Sequence, residues 1–328
     1  MTALARGIGL RLVQVFGLLL AVVILNFILI QMAPGDAALV LASQTGSGDP
    51  EYLARLRAGY GLDRPLVVQL LTYIWNVVQL DLGESFFYER PVLDVIMGRM
   101  WPTLLLAGSA LTLALTVGVL LGVYTARRPE SPFSHGVTIM SLVGYALPVF
   151  WTGIMLIILF ASKFQILPVS GMEDLRYKGG WFGERLDNLE HLVLPAVTLA
   201  IIYLAYYSRL ARASMLEVLE SDYIRTARAK GANERTVVYK HALRNALIPI
   251  VTFAGLQFGA LFSGAVLVET VFNWPGLGRM AFESILRRDT PLMLGLLLVS
   301  AAMVIVANLI TDLVYRLIDP RIRVGGSR

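Results

Sequence analysis

The chain reads as an all-α polytopic membrane protein with six transmembrane helices, and three observations predict this. Of its 328 residues, 56% are apolar and 16% charged, against about 45–50% and about 25% in a soluble domain. With a mean hydropathy of +0.67, so much apolar surface could not be hidden in the cores of a 36.1 kDa chain. Six intervals of 17 to 27 residues contain no Asp, Glu, Lys or Arg, and a bilayer crossing takes about 20 mostly apolar residues. Lys and Arg are also spread unevenly between the loops that these intervals define.

The first span, 12–32, outlasts the 7–15-residue apolar region of a cleavable signal and reads as a retained anchor. The segment 33–99 follows outside the membrane. In it Ala33-Pro34-Gly35-Asp36 breaks the helix, Gly46-Ser47-Gly48-Asp49-Pro50 marks a connector, and Glu51 to Tyr60 reads as a short helix. Residues 65–80 are uncharged, but at 1.5 Å each they reach roughly 24 Å, short of about 30 Å. They also carry Gln69, Thr72, Asn76 and Gln79, so an amphipathic helix lying on or docked at the outer side is expected. Spans 100–126 and 136–162 are joined by a cytoplasmic turn, 127–135, and Pro148 should kink the third span by removing a backbone hydrogen bond. The outer loop 163–191 leads to a fourth span, 192–208, and a long cytoplasmic segment, 209–248, to a fifth, 249–268. The outer loop 269–290, the sixth span, 291–311, and a cytoplasmic tail, 312–328, complete the chain.

With both termini inside, Lys and Arg divide into 16 inside and 12 outside, and acids into 7 and 16. Letting 65–80 cross would leave 11 cations inside and 17 outside, against the positive-inside bias. The formal charge of +5, which in a soluble protein would suggest nucleic acid, is therefore read as topology.

A bare connector needs only a few residues, yet 209–248 has 40. Asp222 is expected to cap a helix over Tyr223 to Lys230, and Gly231 to stop it. Asn233 should cap a second helix that begins at Glu234 and runs until Pro249 opens the fifth span. The segment carries eight cations and four acids. Contact with anionic membrane lipid would account for the positive charge. Alternating signs on two capped helices fit docking to a protein better. In the loop 269–290, Pro275, Gly276 and Gly278 demand tight turns, and Trp274 suits an interfacial anchor. Gly255, Gly259 and Ser263, with Ala260 and Gly264, have small-xxx-small spacing for close helix packing.

The sequence has no Cys, no Gly followed by Lys and therefore no phosphate-binding loop of that type, and only His135, His191 and His241, which are scattered. No catalysis, metal or cofactor is expected on this chain. An ion-coupled secondary transporter should show repeats and midplane carboxylates. The intramembrane polar residues are instead Asn26, Gln31, Gln257 and Asn308, with Glu269 and Asp312 near span ends. Composition alone leaves a scaffold or assembly factor open.

The stretch Asp222-Tyr-Ile-Arg-Thr-Ala-Arg-Ala-Lys-Gly231, followed by His241-Ala-Leu-Arg-Asn-Ala-Leu-Ile-Pro249, resembles the EAA-type cytoplasmic loop of ABC importer permeases. Arg225-Thr226-Ala227 stands where Glu-Ala-Ala would be, as in the peptide and nickel uptake branch. Ala33-Pro-Gly-Asp36, Gly61-Leu-Asp-Arg-Pro65, Asp81-Leu-Gly-Glu-Ser85, Leu147-Pro-Val-Phe-Trp151 and Glu269-Thr-Val-Phe-Asn-Trp-Pro-Gly-Leu-Gly278 match as well. The long first outer segment is similar to that of the first of the two permeases in such systems. The resemblance implies a type I importer permease fold with a core near 95–320. It also implies a second six-span permease, two cytoplasmic ATPases that use ATP and Mg, and an outer substrate-binding protein as partners. On the same ground, Tyr223, Ala227, Arg228, Lys230, Gly231, Arg235 and His241 would form the ATPase-coupling loop, with Arg228, Lys230 and Arg235 facing acidic rims of the ATPase groove. Cargo would be di- or oligopeptides, with nickel, glutathione or another peptide-like solute as alternatives.

Overall fold

The computed structural model describes residues 3–32, 49–59, 62–174 and 180–318; Ala33-Pro-Gly-Asp36, Gly46 to Gly48 and Gly61 lie outside them. In chain order the helices are α1 (Ala3–Met32), α2 (Pro50–Gly59), α3 (Leu66–Val78), α4 (Val92–Arg127), α5 (Pro132–Ala146) and α6 (Val149–Leu156), which continues as a π-helix over Ile157–Lys163. They are followed by α7 (Gly180–Leu219), α8 (Asp222–Ala229) and α9 (Glu234–Thr236), the last running through a π-helical Val237–Ala242 into α10 (Leu243–Val271). α11 (Leu277–Leu286) and α12 (Thr290–Ile318) close the series.

Among the described residues, α1, α4, α7 and α12 are each long and apolar enough to cross a bilayer, and a bent pair makes a fifth if it is one span. That pair is α5 and the α6 run, bent by 110° where they join. The third interval is thus a broken helix, where the sequence suggested a kink. Leu147 (ψ 136°) and Pro148 (ψ 134°) are both extended, because a residue before proline is driven out of the helical region. Pro102, Pro195 and Pro249, by contrast, sit inside helices. Pro249 opens nothing: the chain is helical from Glu234 to Val271. The expected fifth span falls in α10, some of whose side chains lie outside the described residues. The expected fourth span, 192–208, is the middle of a 40-residue helix.

The chain divides into two compact units, 1–99 with 281–305 and 100–280 with 306–328. In the first, α3 is too short to cross and lies along α1: the Phe27 and Tyr73 ring centroids are 6.2 Å apart, and Gln31 donates to Gln69 at 3.0 Å. Buried Asn26 donates its amide to the Leu294 carbonyl at 3.0 Å. The buried Asp289 carboxylate accepts from Ser85 Oγ and from the N–H groups of Phe86, Phe87 and Leu292. That ties the Asp81–Ser85 turn to the start of α12.

The core of the second unit is built by α4, α7 and α10. Leu106, Ala107, Ala110 and Ala114 of α4 are buried in one cluster with Leu199, Tyr203, Tyr207 and Ala211 of α7 and with Ile250 and Ala254 of α10. Two glycines set the α4–α7 distance. A Cβ at Gly122 would lie 2.5 Å from that of Ala211, and one at Gly118 would lie 3.0 Å from that of Tyr207.

Candidate functional site

The cytoplasmic segment 209–248, expected to hold two helices, also contains the end of α7. α7 extends to Leu219, so only short turns separate it from α8 and α8 from α9. α8 begins one residue earlier than the sequence implied: Ser221 is its N-cap, and Asp222 occupies the first turn, paired with Arg225. An acidic side chain there complements the helix dipole without being the cap. Ile224 faces inward and is fully buried with Val123 and Ala126 of α4, Met215 of α7, and Val237, Val238, Ala242 and Ala246. Burying such a side chain contributes about 1.5–3 kcal/mol, which fastens α8 to the helical body. Ala227 packs against the same cluster.

Gly231 has φ +79°, a left-handed conformation that costs an L-residue roughly 1–2 kcal/mol. Its N–H reaches the Arg228 carbonyl at 2.9 Å, and the Ala232 N–H reaches that of Ala227 at 3.2 Å, which satisfies the carbonyls at the end of α8. The Asn233 side chain then accepts from the Arg235 N–H at 3.0 Å as the cap of α9. The two helices are clipped across the turn by Arg228, whose Nε and Nη2 donate to the two Glu234 oxygens at 3.2 and 3.0 Å. That hydrogen bond lowers the Glu234 carboxyl below its ordinary value and raises the Arg228 guanidinium. Arg228 is therefore engaged within the loop, in an ion pair that the sequence reading did not include.

The other expected residues are distributed around this turn. Lys230 caps the end of α8 and is exposed. The exposed Arg235 lines an open recess of roughly 450 Å³ with Arg127 and Tyr239, and the Arg127 guanidinium lies 6.0 Å from the Tyr239 ring centroid. The Tyr223 hydroxyl accepts from Asn245 Nδ2 at 2.7 Å, and His241 sits half-buried in the π-helical segment. The arrangement is a basic knob on a buried apolar base.

At Gly255 a Cβ would lie 1.8 Å from Thr311 Cγ2 of α12. The surroundings of Gly259, Ser263 and Gly264 lie outside the described residues.

At the far end of α10 the structure assembles a cluster the sequence did not announce. Trp274 is fully buried, and its Nε1–H donates to the Pro102 carbonyl at 2.9 Å. The expected interfacial anchor is thus an interior peg. Buried Glu269 accepts from Thr103 Oγ1 at 2.7 Å and from the Arg279 N–H at 2.9 Å, and Thr103 in turn accepts from the Leu277 N–H. A Cβ at Gly276 would lie 2.1 Å from Glu269 Oε1, so the glycine makes room for the carboxylate. Glycines clustered around an acid and a Trp were the available signal; their partner, Thr103, had none.

Comparison with known proteins assigns this architecture. Residues 118–324 match the model of the binding-protein-dependent transport system inner membrane component, and residues 4–107 match the N-terminal model of such membrane components. The chain belongs to this family. It is a transport permease subunit, a multi-pass protein of the inner membrane. The di/tripeptide transport system permease DppB of Pseudomonas aeruginosa is 43% identical over 334 residues, covering 98% of each chain. The dipeptide permease DppB of Escherichia coli K12 is 41% identical, covering 95% of this chain and 97% of the relative. The oligopeptide permease AppB of Bacillus subtilis is 40% identical over 93% and 95%. Among solved structures, an inward-facing MetNI methionine ABC transporter aligns with a TM-score of 0.55 at 16% identity, covering 69% of this chain and 97% of that one. The type I importer permease fold is shared with it.

Proposed function

We propose that this subunit forms, with a second permease, the path by which an ATP-driven importer carries di- or oligopeptides inward. The observation that carries the cargo is the near full-length likeness, at 40–43% identity, to permeases named for di/tripeptides, dipeptides and oligopeptides. Both termini and the knob at Gly231 face the cytoplasm, in keeping with 16 of 28 Lys and Arg lying on that side. Two partner ATPases there bind ATP and Mg, and a substrate-binding protein delivers cargo from outside.

The knob seats in a groove of one ATPase, with Lys230 and Arg235 as the cations left to meet it. Closure of the ATPases on ATP favours one state of the membrane helices, and hydrolysis releases it. Only ligands with different affinities for the two states can drive such a cycle, and the knob is where that difference enters this chain. Its anchoring through Ile224 and the hydrogen-bonded Gly231 turn support that role, since a loop without such ties would absorb the motion. The chain itself performs no chemistry.

The experiment is made on the purified complex in liposomes. Gly231→Trp places a bulky group at the knob's tip; substrate-stimulated ATPase activity and uptake are expected to fall together. Unchanged uptake overturns the docking assignment, and failure of an ATPase to co-purify in mild detergent overturns the assembly.

A further inference from the structure

Residues 100–126 of α4 are 27 uncharged positions, and Arg127 and Arg128 are the first charges after them. At 1.5 Å per residue such a run covers roughly 40 Å, the thickness of a bilayer with its headgroup layers, so Arg127 falls at a headgroup layer. From there an exposed stripe runs back along the helix. Thr112, Thr116, Leu120 and Tyr124 recur every four residues, share one face and are all exposed, Leu120 by 62%. The two threonine hydroxyls donate to carbonyls of the preceding turn, that of Gly108 at 2.8 Å and that of Thr112 at 2.6 Å, which leaves the stripe largely apolar. At its end Tyr124 meets Phe133 of α5 edge-on, with ring centroids 5.0 Å apart, and Phe133 is 53% exposed.

The stripe leads to the recess of roughly 450 Å³ between Arg127, Arg235 and Tyr239. Arg127 joins the two: it stands three residues after Tyr124 on α4, and its guanidinium lies 6.0 Å from the Tyr239 ring centroid, at the limit of a cation–π contact. Both cations are exposed, and none of the ion pairs among the described residues includes Arg127 or Arg235. The acid next to Arg235, Glu234, is already held through both oxygens by Arg228. Two guanidiniums from separate helical segments thus border one recess without a protein counter-ion, at the foot of an apolar face.

We infer that this is a binding site for an anionic phospholipid, its phosphate held in the recess by Arg127 and Arg235 and an acyl chain lying along Leu120, Tyr124 and Phe133. A guanidinium fork matches phosphate oxygens through parallel hydrogen bonds, and basic pockets beside membrane helices suit anionic headgroups. An acidic side chain of a partner protein would also neutralise the cations, but it would leave the apolar stripe that runs out of the recess without a role; an amphipathic ligand uses both. By the orientation proposed above, the lipid belongs to the cytoplasmic leaflet. Arg235 lies four residues after Gly231, so the headgroup borders the knob and shares that cation with it. The site itself stands on the α4 span and the recess, and goes beyond the docking of the knob.

The test is native mass spectrometry of the complete importer titrated with phosphatidylglycerol, and with phosphatidylethanolamine as the zwitterionic control. Arg127→Gln and Arg235→Gln are each expected to weaken the tightest phosphatidylglycerol binding about fivefold, the worth of one cation at an anionic surface, and to leave the control lipid unchanged. Arg127→Lys keeps the charge and most of the binding. Leu120→Gln weakens phosphatidylglycerol binding with both arginines in place, which a purely ionic contact would not show. Unchanged phosphatidylglycerol affinity in the two arginine variants overturns the assignment. So does full displacement of the lipid by inorganic phosphate, which marks a site for the free anion, and so does loss of the ATPase subunits from the arginine variants with lipid binding intact, which gives the recess to the ATPase. A Gly231→Trp importer with full uptake defeats the docking reading but leaves these titrations as they stand, so the two failures are distinguishable.

Discussion

The helical run from Glu234 to Val271 ends in two opposite ways. At the Gly231 end, a short turn is held by one exposed ion pair and one cap, over a single buried anchor, Ile224. At the Glu269 end, a buried carboxylate, a buried Trp and a threonine hydroxyl close a network with α4. One end carries exposed charge; the other leaves no polar side chain of that network facing water. The contrast teaches that this helix is fixed at the end without a proposed partner and accessible at the end with one, an arrangement suited to a lever with a firm fulcrum.

Substitutions at the firm end should therefore cost far more than those at the knob. Trp274→Ala removes the largest fully buried side chain of the second unit and should destabilise by about 3–5 kcal/mol, seen as a lower melting temperature and yield in detergent. Glu269→Ala leaves Thr103 and the Arg279 N–H without their acceptor, at about 1–3 kcal/mol per group; Glu269→Gln should lose less in the same assay. At the knob, Gly231→Ala meets nothing within 4 Å and suffers only backbone strain of roughly 1–2 kcal/mol. Hydrogen exchange should show faster amides over 228–236 alone, with Gly231→Asn milder. Equal melting temperatures for Trp274→Ala and Gly231→Ala would erase the contrast.

The smallest effect is electrostatic. Removing the half-exposed Arg228–Glu234 pair should cost about 0.2–1 kcal/mol and less in high salt. Because Arg228 holds the Glu234 carboxyl below its ordinary value, the clip is complete above the usual carboxylate range near 4.3 and is lost as pH falls through the lowered value. Loop exchange, corrected for intrinsic rates, should not change between pH 6 and 8. A change in that window would place the protection elsewhere.

Local chemistry was legible in the sequence and distant pairing was not. Gly231 and Asn233 could be read because their roles depend on their own backbone and immediate neighbours. Asp222 misled by one position, since an acid in the first turn and an acid at the cap satisfy the same pattern. Pro148 was read as a kink, because the sequence does not say whether the preceding residue stays helical; at Leu147 it does not, whereas the residues before Pro102, Pro195 and Pro249 do. The Arg228–Glu234 pair was not read, because it closes across a turn whose geometry the sequence leaves open. Trp274 looked interfacial for want of Pro102, 172 residues away. Gly118 and Gly122 passed unnoticed for the same reason: each matters through what stands opposite on α7.

The indole bond to Pro102 also sets a timetable. At roughly 5–20 residues per second, the ribosome delivers Trp274 on the order of 10–35 s after Pro102, and Glu269 follows Thr103 by a comparable interval, with 166 residues between them. Throughout that wait the first half of the chain is already being made, with the α4 face around Pro102 and Thr103 lacking its distant partners. The last loop to emerge is the one that completes the first core helix, so biogenesis of this subunit ends with a latch.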